Sequence, residues 1–203
     1  AAEGTVLPFP VEVLAFADEE GVRFPTALIG PRAIAGSFDP EVLEMCDADG
    51  LRLRDALEDF GGRPDDIAAE ARGKDAARAY LELHIEQGPV LEQNDAAVGI
   101  VTGICGIERN SVSFGGETGH AGTVPMEGRR DALVAASEFI VKVHDAACRI
   151  DGLRATIGTL ALKPDVVNAI ARDATLTLEI RALSDAARLE FAAAAQVWGT
   201  EIA

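Results

Sequence analysis

The segment TLTLEIRAL, residues 175–183, alternates polar and apolar side chains at almost every step. A period of two fits an extended strand with one face on a core and the other toward solvent. Such a strand needs partner strands along its edges and helices over its buried face. The neighbouring sequence supplies both. SVSFGG (111–116) and RATIGTLAL (154–162) read as strands. RRDALVAASEFIVKVHDAA (129–147) reads as a helix whose Leu133, Ala136, Ile140 and Val143 form one apolar face. SDAARLEFAAAAQVW (184–198) reads as a second helix, with Ser184 or Asp185 as its N-cap. The order β-α-β-β-α is that of a ferredoxin-like split βαβ unit without its last strand.

The first half has a different texture. VEVLAFA (11–17) is apolar apart from Glu12 and reads as a strand buried on both faces, as in a parallel sheet covered by helices. It stops in Asp18, Glu19, Glu20 and Gly21. Leu51, Leu53, Ala56, Leu57 and Phe60 suggest an amphipathic turn or two, and DAARAYLELHIEQGPVLEQ (75–93) begins as a helix and runs into an apolar segment around His84. AAVGIVTGICGIERNSVSFGG (96–116) reads as extended structure with turns. The expected fold class is therefore α/β: part of a parallel-type sheet domain over residues 1–107, then an incomplete α+β domain over 108–203. Neither half contains the full set of strands its pattern calls for, so the sequence reads as the middle of something larger.

Charge narrows the partners. A formal net charge of −16 argues against nucleic acid or an anionic membrane surface, both of which require a basic face. Cys46, Cys105 and Cys148 are scattered and form no CxxC pair, which suggests free, buried thiols in a reducing compartment. No basic leader or membrane-length apolar run is present, and a cytoplasmic protein is expected.

In a parallel sheet, ligands sit beyond the carboxyl ends of the strands. Glu19 and Glu20 occupy such an end. Adjacent carboxylates repel, and a bound cation with one neighbouring general base would relieve that cost; a solvated loop is the plainer alternative. His84 joined to Glu20 is a chemically sensible metal pair, although a histidine in an apolar run is more often a core residue. His120 lies in a Gly-rich loop, GETGHAGTVPMEGRR, that enters a helix, where Arg129 and Arg130 have surface acids as their plainest partners. Asn168 and Arg181 are thirteen residues apart, and a hairpin-like turn through ARDAT would set them side by side. A guanidinium fork next to an amide is a good carboxylate receptor, though two surface strand residues would give the same pattern.

Taken together, FADEEGVRF, HIEQGPVLE, GHAGTVPMEGRRDAL and VVN followed thirteen residues later by Arg181 resemble one family. It is the hydantoinase/carbamoylase branch of the binuclear-metal aminoacylase-type amidohydrolases, which includes N-carbamoyl-L-amino-acid hydrolases, allantoate amidohydrolases and β-ureidopropionases. The resemblance runs from about Val11 to Arg181. It implies an aminopeptidase-like α/β catalytic domain with an inserted ferredoxin-like lid that forms a homodimer. It also implies two divalent metal ions (zinc, manganese or nickel), with Glu20 and His84 as metal ligands and Glu19 as general base. Gln87, Asn168 and Arg181 would bind substrate. His120 would stabilise the oxyanion, typically in the partner subunit's site.

The resemblance implies cleavage of a C–N bond in an N-carbamoyl or ureido acid. The family's His-x-Asp ligand motif would precede the DEEG strand and a further histidine would follow the lid. The matching positions supply two of five metal ligands, so the chain is expected to hold part of the site, as a fragment or a truncated product. A non-catalytic dimerisation or binding module derived from such an enzyme is the alternative, and a peptidase of the wider superfamily is a weaker third.

Overall fold

The alternating segment is the centre of a three-stranded antiparallel sheet in the computed structural model, which describes residues 6–203. β1 (Gly106–Gly115), β2 (Arg154–Lys163) and β3 (Asp173–Ala182) are ordered β1-β3-β2, so the last strand in the chain lies between the first two. The β1–β3 register runs unbroken from Gly106↔Ala182 to Gly115↔Asp173. The β2–β3 ladder shifts between Ile157 and Leu160, where Thr177 Oγ1 accepts the Thr159 N–H at 3.1 Å. This is the strand arrangement of a split βαβ unit.

Two long helices cover one face of the sheet. They are numbered after three short helices in the first ninety-odd residues: α1 (Ile29–Ile34), α2 (Leu53–Asp59) and α3 (Val90–Gln93). α4 (Ala132–Ala147) starts at Asp131, whose side chain accepts the Leu133 N–H, and α5 (Asp185–Ile202) starts at Ser184, which caps the Ala187 N–H. On β3 the even-numbered residues from Ala174 to Ala182 are buried, and Thr175, Thr177 and Arg181 stand exposed on the opposite face. Phe139, Val143, Leu176, Leu178 and Ile180 are the largest fully buried side chains, each contributing roughly 1.5–3 kcal/mol by leaving water. The buried stripe of α4 is Ala132, Ala136, Phe139 and Val143; Leu133 and Ile140 flank it. The stripe is thus rotated slightly from the one the spacing predicts, because Phe139 takes the centre against Phe114, with ring centroids 5.7 Å apart.

The chain divides into two compact units, Ala1–Ile85 and Glu86–Ala203, and the sheet belongs wholly to the second. The first unit holds α1, α2 and 3-10 turns at Pro40–Glu44 and Pro64–Glu70 around a small core of Phe24, Val42, Leu43 and Leu53. Here two expectations are corrected. VEVLAFA runs extended but forms no strand, and Val13 is 88% exposed. A strand buried on both faces requires ladder partners, and among the described residues of this unit the only β-type pairing is an isolated bridge between Cys46 and Arg52. The helix expected from residue 75 does not form: residues 77–86 carry no regular structure, with Leu81 and Leu83 exposed for the same lack of a packing surface. In the second unit the extended run before β1 is likewise unpaired, with Ile100 and Ile104 exposed. The three thiols are free as expected, but all three are exposed rather than buried.

Candidate functional site

The first cluster is built on a turn. Asp18 has a left-handed backbone (φ 51°), and its carbonyl accepts the Gly21 N–H at 3.1 Å. Its carboxylate accepts three further backbone N–H groups: Oδ1 from Val22 (2.8 Å) and Arg23 (3.0 Å), Oδ2 from Phe24 (3.2 Å). These donors, that of Arg23 foremost, hold the Asp18 carboxyl below the usual carboxylate range. Gly21 has φ +72°, and a Cβ there would lie 2.8 Å from the Thr26 carbonyl oxygen, so both conformation and space demand glycine. The turn is tied to the core through Phe24, and Arg23 Nε donates to Asp47 Oδ2 at 3.0 Å.

Glu19 and Glu20 are the two central residues of this turn. Their carboxylates and the His84 ring offer ligand atoms that all lie within 4.8 Å of one another. His84 Nδ1 lies 2.6 Å from the Ile85 carbonyl oxygen, which puts the neutral ring's proton on Nδ1 and leaves the Nε2 lone pair available. Two carboxylates and one imidazole at that spacing fit a hard or borderline divalent cation. His84 is an exposed residue, not a core one. Three residues along the chain and in the second unit, Gln87 holds a left-handed backbone (φ 56°) next to Glu86, whose carboxylate caps the N–H groups of Val90 and Leu91.

The second cluster lies at one end of the sheet. Beyond Gly115 and Asp173 the β1–β3 pairing continues through Gly116 N to Arg172 O (2.6 Å), Ile170 N to Gly119 O (2.8 Å) and Ala121 N to Asn168 O (2.9 Å). His120 and Asn168 thus sit on two strands of chain that pair directly, with a bridge between His120 and Ala169. Arg181 is elsewhere. It pairs with Ile107 at the opposite end of the ladder, roughly 26 Å along β3 from Asp173 at the usual strand rise. The ARDAT segment does not turn; it leads straight into β3, which corrects the hairpin expectation. Arg181 Nε donates to Glu179 at 2.6 Å, and Arg109 Nε reaches the other oxygen of the same carboxylate at 2.7 Å.

Two residues to which the sequence assigns no part in the site organise these clusters. Asp18 is the acceptor around which its turn closes. Asp next to a Gly-terminated turn is the one signal that pointed there. Arg130 pairs with a surface acid as expected, reaching Glu117 at 3.9 Å, but Arg129 points its guanidinium into the backbone of the His120 loop.

Carboxylates and a histidine gathered on a turn, in a chain that goes on into a split βαβ unit, suit a metal-dependent hydrolase. The chain belongs to peptidase family M20/M25/M40, whose profile matches residues 1–198. It is 42% identical over 180 residues to an N-carbamoyl-L-amino acid amidohydrolase of Geobacillus stearothermophilus, covering 89% of this chain and 44% of that protein. It is 39% identical over 173 residues to the allantoate amidohydrolase of Escherichia coli, covering 84% of this chain and 42% of that one. A crystal structure of a hydantoinase/carbamoylase family amidase from Burkholderia ambifaria superposes with a TM-score of 0.76 at 34% identity, over 91% of this chain and 44% of that one. The chain therefore spans less than half the length of the relatives it matches.

Proposed function

We propose that this chain supplies part of a metal-dependent amidohydrolase that cleaves a C–N bond of an N-carbamoyl-L-amino acid or of allantoate. The observation that carries the reading is the convergence of Glu19, Glu20 and His84 in a chain whose relatives are named for those substrates. Glu20 and His84 would hold a divalent cation (zinc, manganese or nickel), one of two in the complete enzyme. Such a cation acidifies water and polarises a carbonyl oxygen. Glu19 takes a proton from the attacking water and returns it to the leaving nitrogen, the work of a general base that becomes a general acid. The carbamoyl group leaves as ammonia and carbon dioxide.

His120 would donate an N–H to the oxygen on which negative charge develops, acting in the site of a partner subunit of a homodimer. Gln87 and Asn168 would contact substrate, and the Arg181 guanidinium would bind its carboxylate. Arg181 and Asn168 lie at opposite ends of one ladder, too far apart to touch one small ureido acid together, which supports their serving the sites of different subunits. We put the functional division at 107/108, close to where β1 starts at Gly106. Among the described residues no helix is long and apolar enough to cross a membrane. Three unpaired thiols support a cytoplasmic setting.

The test is to assay the full-length protein with N-carbamoyl-L-amino acids and allantoate, with and without Mn²⁺ or Zn²⁺. Metal-dependent release of ammonia is expected, and absence of turnover on every ureido acid would sink the proposal. The competing reading, a non-catalytic binding module, is favoured only by the partial ligand set. Tightly bound stoichiometric metal would count against it.

A further inference from the structure

We infer that Arg129 is a positioning residue: it clamps the loop after His120 so that His120 carries its proton on Nε2 and offers that N–H as a donor. The loop has few ties of its own. One side is pinned by the Gly119–Ile170 and Ala121–Asn168 hydrogen bonds, and the His120 carbonyl accepts the N–H groups of Thr123 and Val124 at 3.2 Å each. The carbonyls of Ala121, Val124 and Pro125 all converge on Arg129. Its Nη2 donates to Ala121 (2.8 Å) and Val124 (2.6 Å), and its Nε to Val124 and Pro125 (3.2 Å each). The guanidinium serves the three carbonyls from two separated nitrogens in one rigid plane; a lysine ammonium has three donors but all on one atom, and does not reproduce that spread.

The clamp has a consequence at the imidazole. Gly122 N–H donates to His120 Nδ1 at 3.1 Å. A ring nitrogen that accepts a hydrogen bond carries no proton, so the neutral ring keeps its proton on Nε2. Gly122 lies inside the segment whose carbonyls Arg129 holds, at 121 on one side and 124 and 125 on the other. The guanidinium thus fixes the loop, the loop aims the Gly122 N–H, and that N–H selects the tautomer. The catalytic consequence rests on the proposed function: a histidine that donates to a developing oxyanion must present N–H, and the other tautomer would present a lone pair.

Two readouts test this on the full-length protein. With ¹⁵N-labelled histidine, a long-range ¹H–¹⁵N spectrum taken where the ring is neutral should show His120 protonated at Nε2 and bare at Nδ1. The signal is assigned by its loss in His120→Asn. Arg129→Gln and Arg129→Lys should each give mixed tautomers at His120. Each should also lower kcat about 10²-fold, the scale of a small misplacement, with KM changed less than threefold and metal content unchanged. A His120 protonated at Nδ1 in the wild type would overturn the inference. So would variants that keep both the wild-type tautomer and wild-type kcat. If the wild-type protein turns over no ureido acid, the proposed function fails on its own, and the spectra alone decide the role of Arg129.

Discussion

At the scale of the residue, the acidic triplet divides into one acid that closes its turn and two that are displayed. Asp18 faces inward and gathers the N–H groups of Val22, Arg23 and Phe24, while Glu19 and Glu20 are displayed with His84. Removing the acceptor should therefore loosen the proposed metal site without touching a proposed ligand. Asp18→Ala is expected to weaken Mn²⁺ or Zn²⁺ binding about 10–100-fold, the range for groups that orient ligands, as measured by titration calorimetry. Asp18→Asn keeps one acceptor oxygen and tolerates the left-handed backbone, so it should lose less. Equal affinity in Asp18→Ala and wild type would remove the turn from the account. His84→Ala should lose the one cation proposed for Glu20 and His84, because it takes away the only imidazole of the cluster.

At the scale of the element, the sheet and its helices were legible from sequence because each carries its own period. TLTLEIRAL became β3, and Ser184 capped α5 as its position predicted. The same reasoning failed on VEVLAFA and on residues 75–86. VEVLAFA is apolar with no clear period, residues 75–86 mix charged and apolar side chains, and the structure of both depends on partners that the described residues do not provide. Gly116 shows how tightly the sheet end is built: a Cβ there would overlap the Arg130 carbonyl oxygen. Gly116→Ala is expected to cost roughly 1–3 kcal/mol by forcing the backbone apart, seen as a lower midpoint in urea unfolding. Phe139→Ala, in the centre of the α4 stripe, should cost more, about 3–5 kcal/mol.

The open face of the same sheet carries a pH signature. Arg181 first and Arg109 second hold the Glu179 carboxyl below its usual range. A depressed folded value means the stabilisation is complete above the unfolded glutamate value of about 4.3 and fades as pH falls through the folded one. Glu179→Gln should accordingly lower Tm at neutral pH and leave it near that of the wild type in strong acid. An identical Tm difference at both pH values would contradict the assignment.

At the scale of the whole molecule, the candidate site was legible as motifs and much less so as geometry. Glu19, Glu20 and His84 come from segments more than sixty residues apart, and nothing in their spacing announces that they meet. The segments that carry His120 and Asn168 pair because the β1–β3 ladder runs past its named ends, a continuation that composition does not reveal. The roles of Asp18 and Arg129 were not legible because their partners are mostly backbone groups, which a pattern of side chains records poorly. The central claim is that the acids at 19 and 20 divide the work, one moving a proton and one holding a cation. The direct measurement is ammonia release from N-carbamoyl-L-amino acids and allantoate by metal-loaded full-length protein, with Glu19→Gln and its metal content alongside. The account predicts metal-dependent turnover that falls about 10²–10⁴-fold in Glu19→Gln while metal stays bound. Wild-type turnover in Glu19→Gln, or none in the loaded wild-type enzyme, would contradict it.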